Sequence, residues 1–412
     1  MSIRLITDNI DGASIRVVGV GGGGGNALNM MVDKGMEGVE FIAINTDAQA
    51  LENSKAHIKI QIGKNLTEGL GAGMVENVGM KAVEENRDEI ERALTGSDMV
   101  FVTAGMGGGT GTGGAPEVAR IAKNLNSLVV SIVTTPFNFE GKPRMELALK
   151  GLEKLKEEVD SMIVIPNQKI SELINPDTSK DEAFALANRV LLNATRGISQ
   201  IIMKTGEINV DFADVRTIMK DMGDAMIGTG IASGEDRAIR SAKDALSNPL
   251  LDEIDIRGSK CVLTNICSDG NIKMSEIEKI NELIQETSGE DAKYIFGVVD
   301  DEDMKDELMV TVIATGFRNG ALQEIMGSKT GSDNQIDNVK IEVGKITQIP
   351  TSDELPDYDI PAIKRRQVNI NDDLSENSES SKDKSDDDDL GLDEIKFDDD
   401  YTKPAFLRRQ MD

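Results

Sequence analysis

The sequence predicts an α/β fold: a mostly parallel sheet, a long central helix, a smaller mixed α/β domain and a disordered acidic tail. Three observations carry this. β-rich runs alternate with helical patterns through the first third, a single amphipathic stripe follows, and the composition turns acidic near the end.

Apolar runs at 15–20, 39–45, 58–62, 99–103, 128–134 and 162–166 predict strands. Helical spacing at 75–94, 115–125 and 145–158 falls between them, and such alternation implies a parallel sheet with helices on both faces. From 181 to 204, Ala183, Phe184, Ala187, Val190, Leu191, Ala194, Ile198, Ile201 and Ile202 recur at helical spacing, giving one long helix. Beyond it, helices at 235–246 and 275–287 mix with strands at 260–266, 292–299 and 307–315, a second α/β domain over about 220–320. Residues 371–400 hold 14 Asp and Glu against 3 Lys. Such a stretch repels itself and has little to bury, so 351–400 is expected to be an extended linker. An apolar and basic peptide closes the chain at 401–412.

Composition excludes several functions. The 412 residues, 39% hydrophobic, suffice for one large or two medium cores. A net charge of -28 opposes binding to nucleic acid. Cys261, Cys267 and the single His57 are too few for a disulfide framework or a zinc site. No apolar run reaches the roughly 20 residues of a membrane span, and the first residues lack a signal-peptide layout. A soluble, cytoplasmic protein is expected.

The chemistry lies in two glycine runs. The first strand leads into Gly19-Val-Gly-Gly-Gly-Gly-Gly25-Asn26, where backbone amides and a helix N-terminus suit a phosphate. This run also satisfies G-x-G-x-x-G, so a dinucleotide-binding oxidoreductase is an equal reading of it alone. The fourth strand leads into a second run from Ala104 to Pro116, with Pro116 placed for the first turn of a helix. Two phosphate cradles on one sheet, with the hydroxyls of Thr110 and Thr112, suit a triphosphate gripped from both sides. No G-x-x-x-x-G-K-[ST] occurs, so this is not a P-loop protein.

Gly108-Gly-Thr-Gly-Thr-Gly113 resembles the signature phosphate loop of the tubulin/FtsZ family. VVGVGGGGGNAL near the start, AINTDAQAL at 43–51, TTPFNFEGKPR at 134–144, NVDFADVR at 209–216 and the terminal PAFLRRQ resemble its FtsZ branch. The resemblance covers roughly 12–320 and the last dozen residues. It implies a polymerising cytoskeletal GTPase of bacterial cell division, with GTP or GDP and Mg2+ as cofactors and the division site at midcell as its location. It divides the chain into a GTP-binding domain at 1–180, the central helix at 181–204, and a catalytic loop and connecting helix at 205–219. A C-terminal domain at 220–320, a transition segment at 321–350, the linker and the peptide follow.

The resemblance also implies roles. Gly22, Gly23, Gly24, Gly25 and Asn26, with Gly108, Gly109, Thr110, Gly111 and Thr112, would hold phosphates. Glu140 would bind the ribose and Arg144 the phosphate end. Phe184 would stack on the base, and Asn188, one helical turn on, would read the guanine edge with Asn26 behind it. No side chains are assigned to a metal; magnesium would travel with the nucleotide. Two departures stand out: 69–78 lacks the family's usual Asn-Pro, and Asn188 stands where some members have Asp.

Asp211 and Asp214, with Asn209, are the candidate catalytic residues. The long helix spans about 36 Å, so acids beyond its end would serve the nucleotide of a neighbour stacked head to tail. The same spacing also fits a plain N-cap, with Asp211 capping and Asp214 three residues on. The chain's expected partners are itself and, as the resemblance implies for Pro404, Phe406, Leu407, Arg408 and Arg409, membrane-tethering division adaptors such as FtsA. Pro361–Gln367 repeats Pro404–Gln410 at five of seven positions, either a basic break in the linker or a second, weaker adaptor site.

Overall fold

The computed structural model describes residues 12–171, 177–203, 208, 210–247, 256–289 and 292–317. Asn209, the segments from 321 onward, both adaptor-like repeats and the acidic linker lie outside the described residues.

β1 (Ile15–Val20), β2 (Val39–Asn45), β3 (Ile58–Gln61), β4 (Met99–Gly105), β5 (Leu128–Thr135) and β6 (Ser161–Pro166) are parallel, in the order β3-β2-β1-β4-β5-β6. β7 (Gly223–Ser233), β8 (Cys261–Ser268), β9 (Lys293–Asp300) and β10 (Glu307–Thr315) continue the sheet as β7-β10-β8-β9. β7 joins β6 in parallel, and β10 alone runs antiparallel to its neighbours. One ten-stranded sheet thus runs through both halves that the sequence separates.

The helices are α1 (Gly21–Asp33), α2 (Ala48–Glu52), α3 (Lys64–Thr67), α4 (Glu76–Glu85), α5 (Arg87–Leu94) and α6 (Gly109–Asn124). After them come α7 (Lys142–Glu158), α8 (Asn167–Ser171), α9 (Lys180–Met203), α10 (Phe212–Met219), α11 (Arg237–Leu246) and α12 (Met274–Ser288).

Strand alternation sorts side chains to two faces. Val17, Phe101, Val130 and Ile132 pack with Ala27, Leu28 and Met31 of α1 and Leu191 and Ile198 of α9. Val18, Val100, Val102 and Val129 face Val83 of α4, Ile90 of α5, Val118 of α6 and Leu152 of α7. The first cluster continues to Ile227, Leu263 and Ile313, so α9 serves the sheet on both sides of the β6–β7 join. A third cluster places Ala242 of α11 and Ile280 of α12 over Val262 and Val310.

Four local expectations change. The helix expected at 75–94 breaks at Asn86, whose Oδ1 accepts from Gly63 N at 3.0 Å. A side-chain amide that engages backbone competes with helix continuation. Both glycine runs turn helical earlier than expected, since α1 begins at Gly21 and α6 at Gly109, leaving 106–108 as a turn. Pro116 therefore sits inside α6, not in its first turn, and has no N–H to offer the preceding turn. β7 was not expected at all. Its glycines and alanines carry little strand signal, but a Cβ at Gly230 would lie 2.1 Å from Ser241 O, so α11 packs directly on this strand.

Candidate functional site

The order β2-β1-β4 places the switch of the doubly wound sheet between β1 and β4, and ligands settle outside the carboxyl ends of strands at such a point. A cleft of ≈ 380 Å³ lies there. Gly22, Gly23 and Asn26 line it from α1, and Gly108, Gly109, Thr110 and Gly111 from the start of α6. Glu140 and Arg144, with Phe184 and Asn188 of α9, complete the lining. Of the expected nucleotide-binding residues, Gly24, Gly25 and Thr112 fall outside this lining.

The glycines divide by function in the fold. A Cβ at Gly23 would lie 2.9 Å from Gly105 backbone, one at Gly24 2.4 Å from Thr103 O, and one at Gly111 2.6 Å from Gly105 O. These positions let the two helix starts pack on each other and on β4. A Cβ at Gly22 or Gly108 meets nothing within 4 Å, so those two face the cleft.

Both helix starts point partial positive charge into the cleft, and neither has an acidic residue in its first turn to offset it. The Gly109 amide donates to Gly73 O at 2.8 Å, so the departing 69–78 loop rests on the second run. Thr112 Oγ1 accepts from Gly107 N at 2.8 Å, and Thr110 Oγ1 lies 2.7 Å from Thr46 Oγ1. The two hydroxyls expected to face phosphate thus already have protein partners.

Glu140 is held twice: Oε1 accepts from Phe137 N at 2.8 Å and Oε2 from Arg144 Nη1 at 2.9 Å. A carboxylate keeps lone pairs beyond these two for hydroxyl donors. Phe184 is 43% exposed, with its edge-on neighbour Phe137 at 5.3 Å. Sequence reasoning missed Thr134, Thr135 and Asn167 in the cleft. Asn167 is 6% exposed, and among the described residues its Oδ1 has no hydrogen-bond partner. The available signal was position: each ends a parallel strand, or follows one, on the ligand edge of the sheet.

Asp211 and Asp214 stand elsewhere. Asp211 caps α10, its Oδ1 accepting from Asp214 N at 2.9 Å, as the capping reading expects. Arg216 of α10 donates to Asn126 O at 3.2 Å, and Ser161 Oγ to Met219 O at 2.5 Å. Asn126 precedes β5 and Ser161 begins β6, so α10 sits at the amino ends of strands whose carboxyl ends form the cleft. Eight residues of β5 separate those edges by about 26 Å.

Two glycine-rich helix starts facing one cleft, without a P-loop lysine, define a phosphate-binding α/β protein distinct from P-loop folds. The tubulin/FtsZ family GTPase domain matches residues 14–175, and the FtsZ family C-terminal domain matches 223–318. Two FtsZ structures from M. jannaschii, an empty dimer and a tryptophan-to-tyrosine mutant, are each 43% identical, with a TM-score of 0.71. They cover 74% of this chain, and 88% and 92% of their own chains. CetZ1 from Haloferax volcanii, a GDP-bound monomer, is 21% identical with a TM-score of 0.65 over 74% of this chain and 95% of its own, a likeness of fold. The chain belongs to the FtsZ branch of the tubulin/FtsZ family of GTPases.

Among the described residues no helix is long and apolar enough to cross a membrane, and no group of three or more His, Cys, Asp or Glu is placed to hold a metal.

Proposed function

We propose that the chain is a GTP-dependent polymer-forming protein of bacterial division, hydrolysing GTP only where two copies meet head to tail. The observation that carries this is the separation of cleft and acids onto opposite edges of one sheet. An acid at one edge reaches only a nucleotide at the other edge of a neighbour, and a repeated contact of that kind does not close but extends into a filament. The empty FtsZ dimer and the GTPγS-bound CetZ2 protofilament among similar structures agree with self-association.

In this reading Gly22 to Asn26 and Gly108 to Thr112 surround the phosphates, and Glu140 takes ribose hydroxyls. Arg144 takes phosphate charge, which requires its guanidinium to be shared with Glu140 or to leave it. Phe184 stacks on guanine, while Asn188, Asn26 and the Oδ1 of Asn167, without a partner among the described residues, offer the mixed donors and acceptors its edge requires. Magnesium carried by the phosphates would neutralise charge on the transferred group. Asp211 and Asp214 of the neighbour orient and polarise the attacking water, and Asn209 serves as a further hydrogen-bond partner. Asp211 has a second task as the cap that holds its own loop in place. Exposed Leu66, Leu70, Met74, Val75 and Phe139 offer apolar surface to another copy.

The sequence after 320 supports the rest of the reading: a linker at 351–400 and a peptide at 401–412 that recruits membrane-tethering adaptors such as FtsA. The protein would act in the cytoplasm at the midcell division site. Phosphate release from GTP, followed against protein concentration, tests the central point. Specific activity per subunit should climb steeply and then level off. Constant specific activity from very dilute protein upward would exclude a shared site.

A further inference from the structure

The bond between Thr46 and Thr110 has a direction, and the direction matters to the cleft. Thr46 directly follows β2 and is 0% exposed; Thr110 stands in the first turn of α6, is 8% exposed and lines the cleft. Their hydroxyl oxygens lie 2.7 Å apart, and this is the sole hydrogen bond of the Thr46 hydroxyl among the described residues. Each hydroxyl has one proton to donate. Were Thr110 the donor, the Thr46 proton would be buried without an acceptor, a costly arrangement. Donation from Thr46 to Thr110 avoids that cost and leaves the Thr110 proton free to turn toward the cleft.

We infer that Thr46 is a positioning residue for phosphate binding, acting through Thr110, whose hydroxyl it fixes as a donor to an anionic oxygen in the cleft. The inference rests on the nucleotide reading proposed above and deepens it. A hydroxyl that accepts one bond while donating another is polarised and donates more strongly. The same contact ties the end of β2 to the second glycine run, so the proton is aimed before ligand arrives. Thr46 does not touch the ligand; the chemical group it serves is a phosphate oxygen of a nucleoside di- or triphosphate.

Two substitutions separate hydroxyl from methyl. Thr46→Val keeps the shape and removes the hydroxyl; Thr46→Ser keeps the hydroxyl and removes the methyl. Full-length protein is titrated with GDP and with GTP, and thermal unfolding is followed in parallel. Thr46→Val should weaken both nucleotides by about five- to tenfold, the worth of one ordinary hydrogen bond. Thr46→Ser should bind nearly as the unaltered chain, even if it unfolds earlier. The opposite order, Ser impaired and Val normal, would make Thr46 mere packing and overturn the inference, as would equal effects in both. Thr46→Val added to Thr110→Val should cost no further affinity; an additive loss would show that Thr46 does not act through Thr110. Absence of guanine-nucleotide binding by the unaltered chain would instead overturn the underlying reading, and this inference with it.

Discussion

At the scale of single residues, one side chain can hold two jobs that a well-chosen substitution divides. Asp211 caps α10 through its side-chain oxygen, and Asn caps a helix about as well as Asp does. Asp211→Asn should therefore keep the unfolding temperature while phosphate release falls by orders of magnitude. Asp211→Ala should lose about 1 kcal/mol of stability in addition. An Asn variant that hydrolyses GTP normally at polymerising concentrations would remove the charge from the mechanism. The glycines divide in the same way. Gly22→Ala places a methyl in open space facing the cleft, so it should spare folding and weaken GTP binding. Gly24→Ala would drive a methyl to 2.4 Å from Thr103 O, so it should lower stability and expression first. Binding and melting measurements on the pair check both statements.

At the scale of elements, α11 and α12 are locked by one arginine. Arg237 Nε and Nη2 grip the two oxygens of Glu276 at 2.8 and 3.2 Å, and the same guanidinium donates to Asp306 O and Asn271 O. The grip by Arg237 holds the Glu276 carboxyl below its usual range. Because the folded value is lowered, this contribution is present above the ordinary carboxylate range and is lost as pH falls through the folded value. Glu276→Gln should thus destabilise the protein near neutral pH, and the penalty should shrink when unfolding is measured in acid below about pH 4. Arg237→Lys should fail to restore the lock, since an ammonium cannot span both oxygens. A penalty independent of pH would mean that packing, not charge, fixes α11 to α12.

At the scale of the whole molecule, the separation of cleft and acids makes complementation possible. Gly108→Val should damage the cleft but leave the acids; Asp211→Asn should do the reverse. Neither variant alone should release phosphate. In an equal mixture, about a quarter of random head-to-tail contacts would pair an intact cleft with intact acids, so activity should reappear. A mixture as silent as its parts, in which sedimentation shows that both variants enter the same polymers, would place the whole machinery within one chain.

Much of this architecture was legible in the sequence. The apolar alternation of the first six strands marks buried parallel strands, and the stripe from Ala183 to Ile202 marks α9, because burial imposes period two on strands and 3.6 on helices. The glycine runs stood out in the sequence, but not as helices: glycine's low helix propensity hides Gly21–Gly25 and Gly109–Gly114, and only packing on Gly105, Thr103 and Glu76 overrides it. β7 was hidden for a similar reason, since its small residues answer to the close approach of α11 rather than to any local preference. Thr134 and Asn167 are ordinary polar residues in the sequence; strand order alone brings them to the cleft. Which residues can bury, turn or meet a phosphate is written in the chain itself, because those properties belong to each side chain and its spacing. Which glycines face the cleft, and that α10 lies at the opposite edge of the sheet, emerged only on folding, because those facts depend on contacts between segments far apart in the chain.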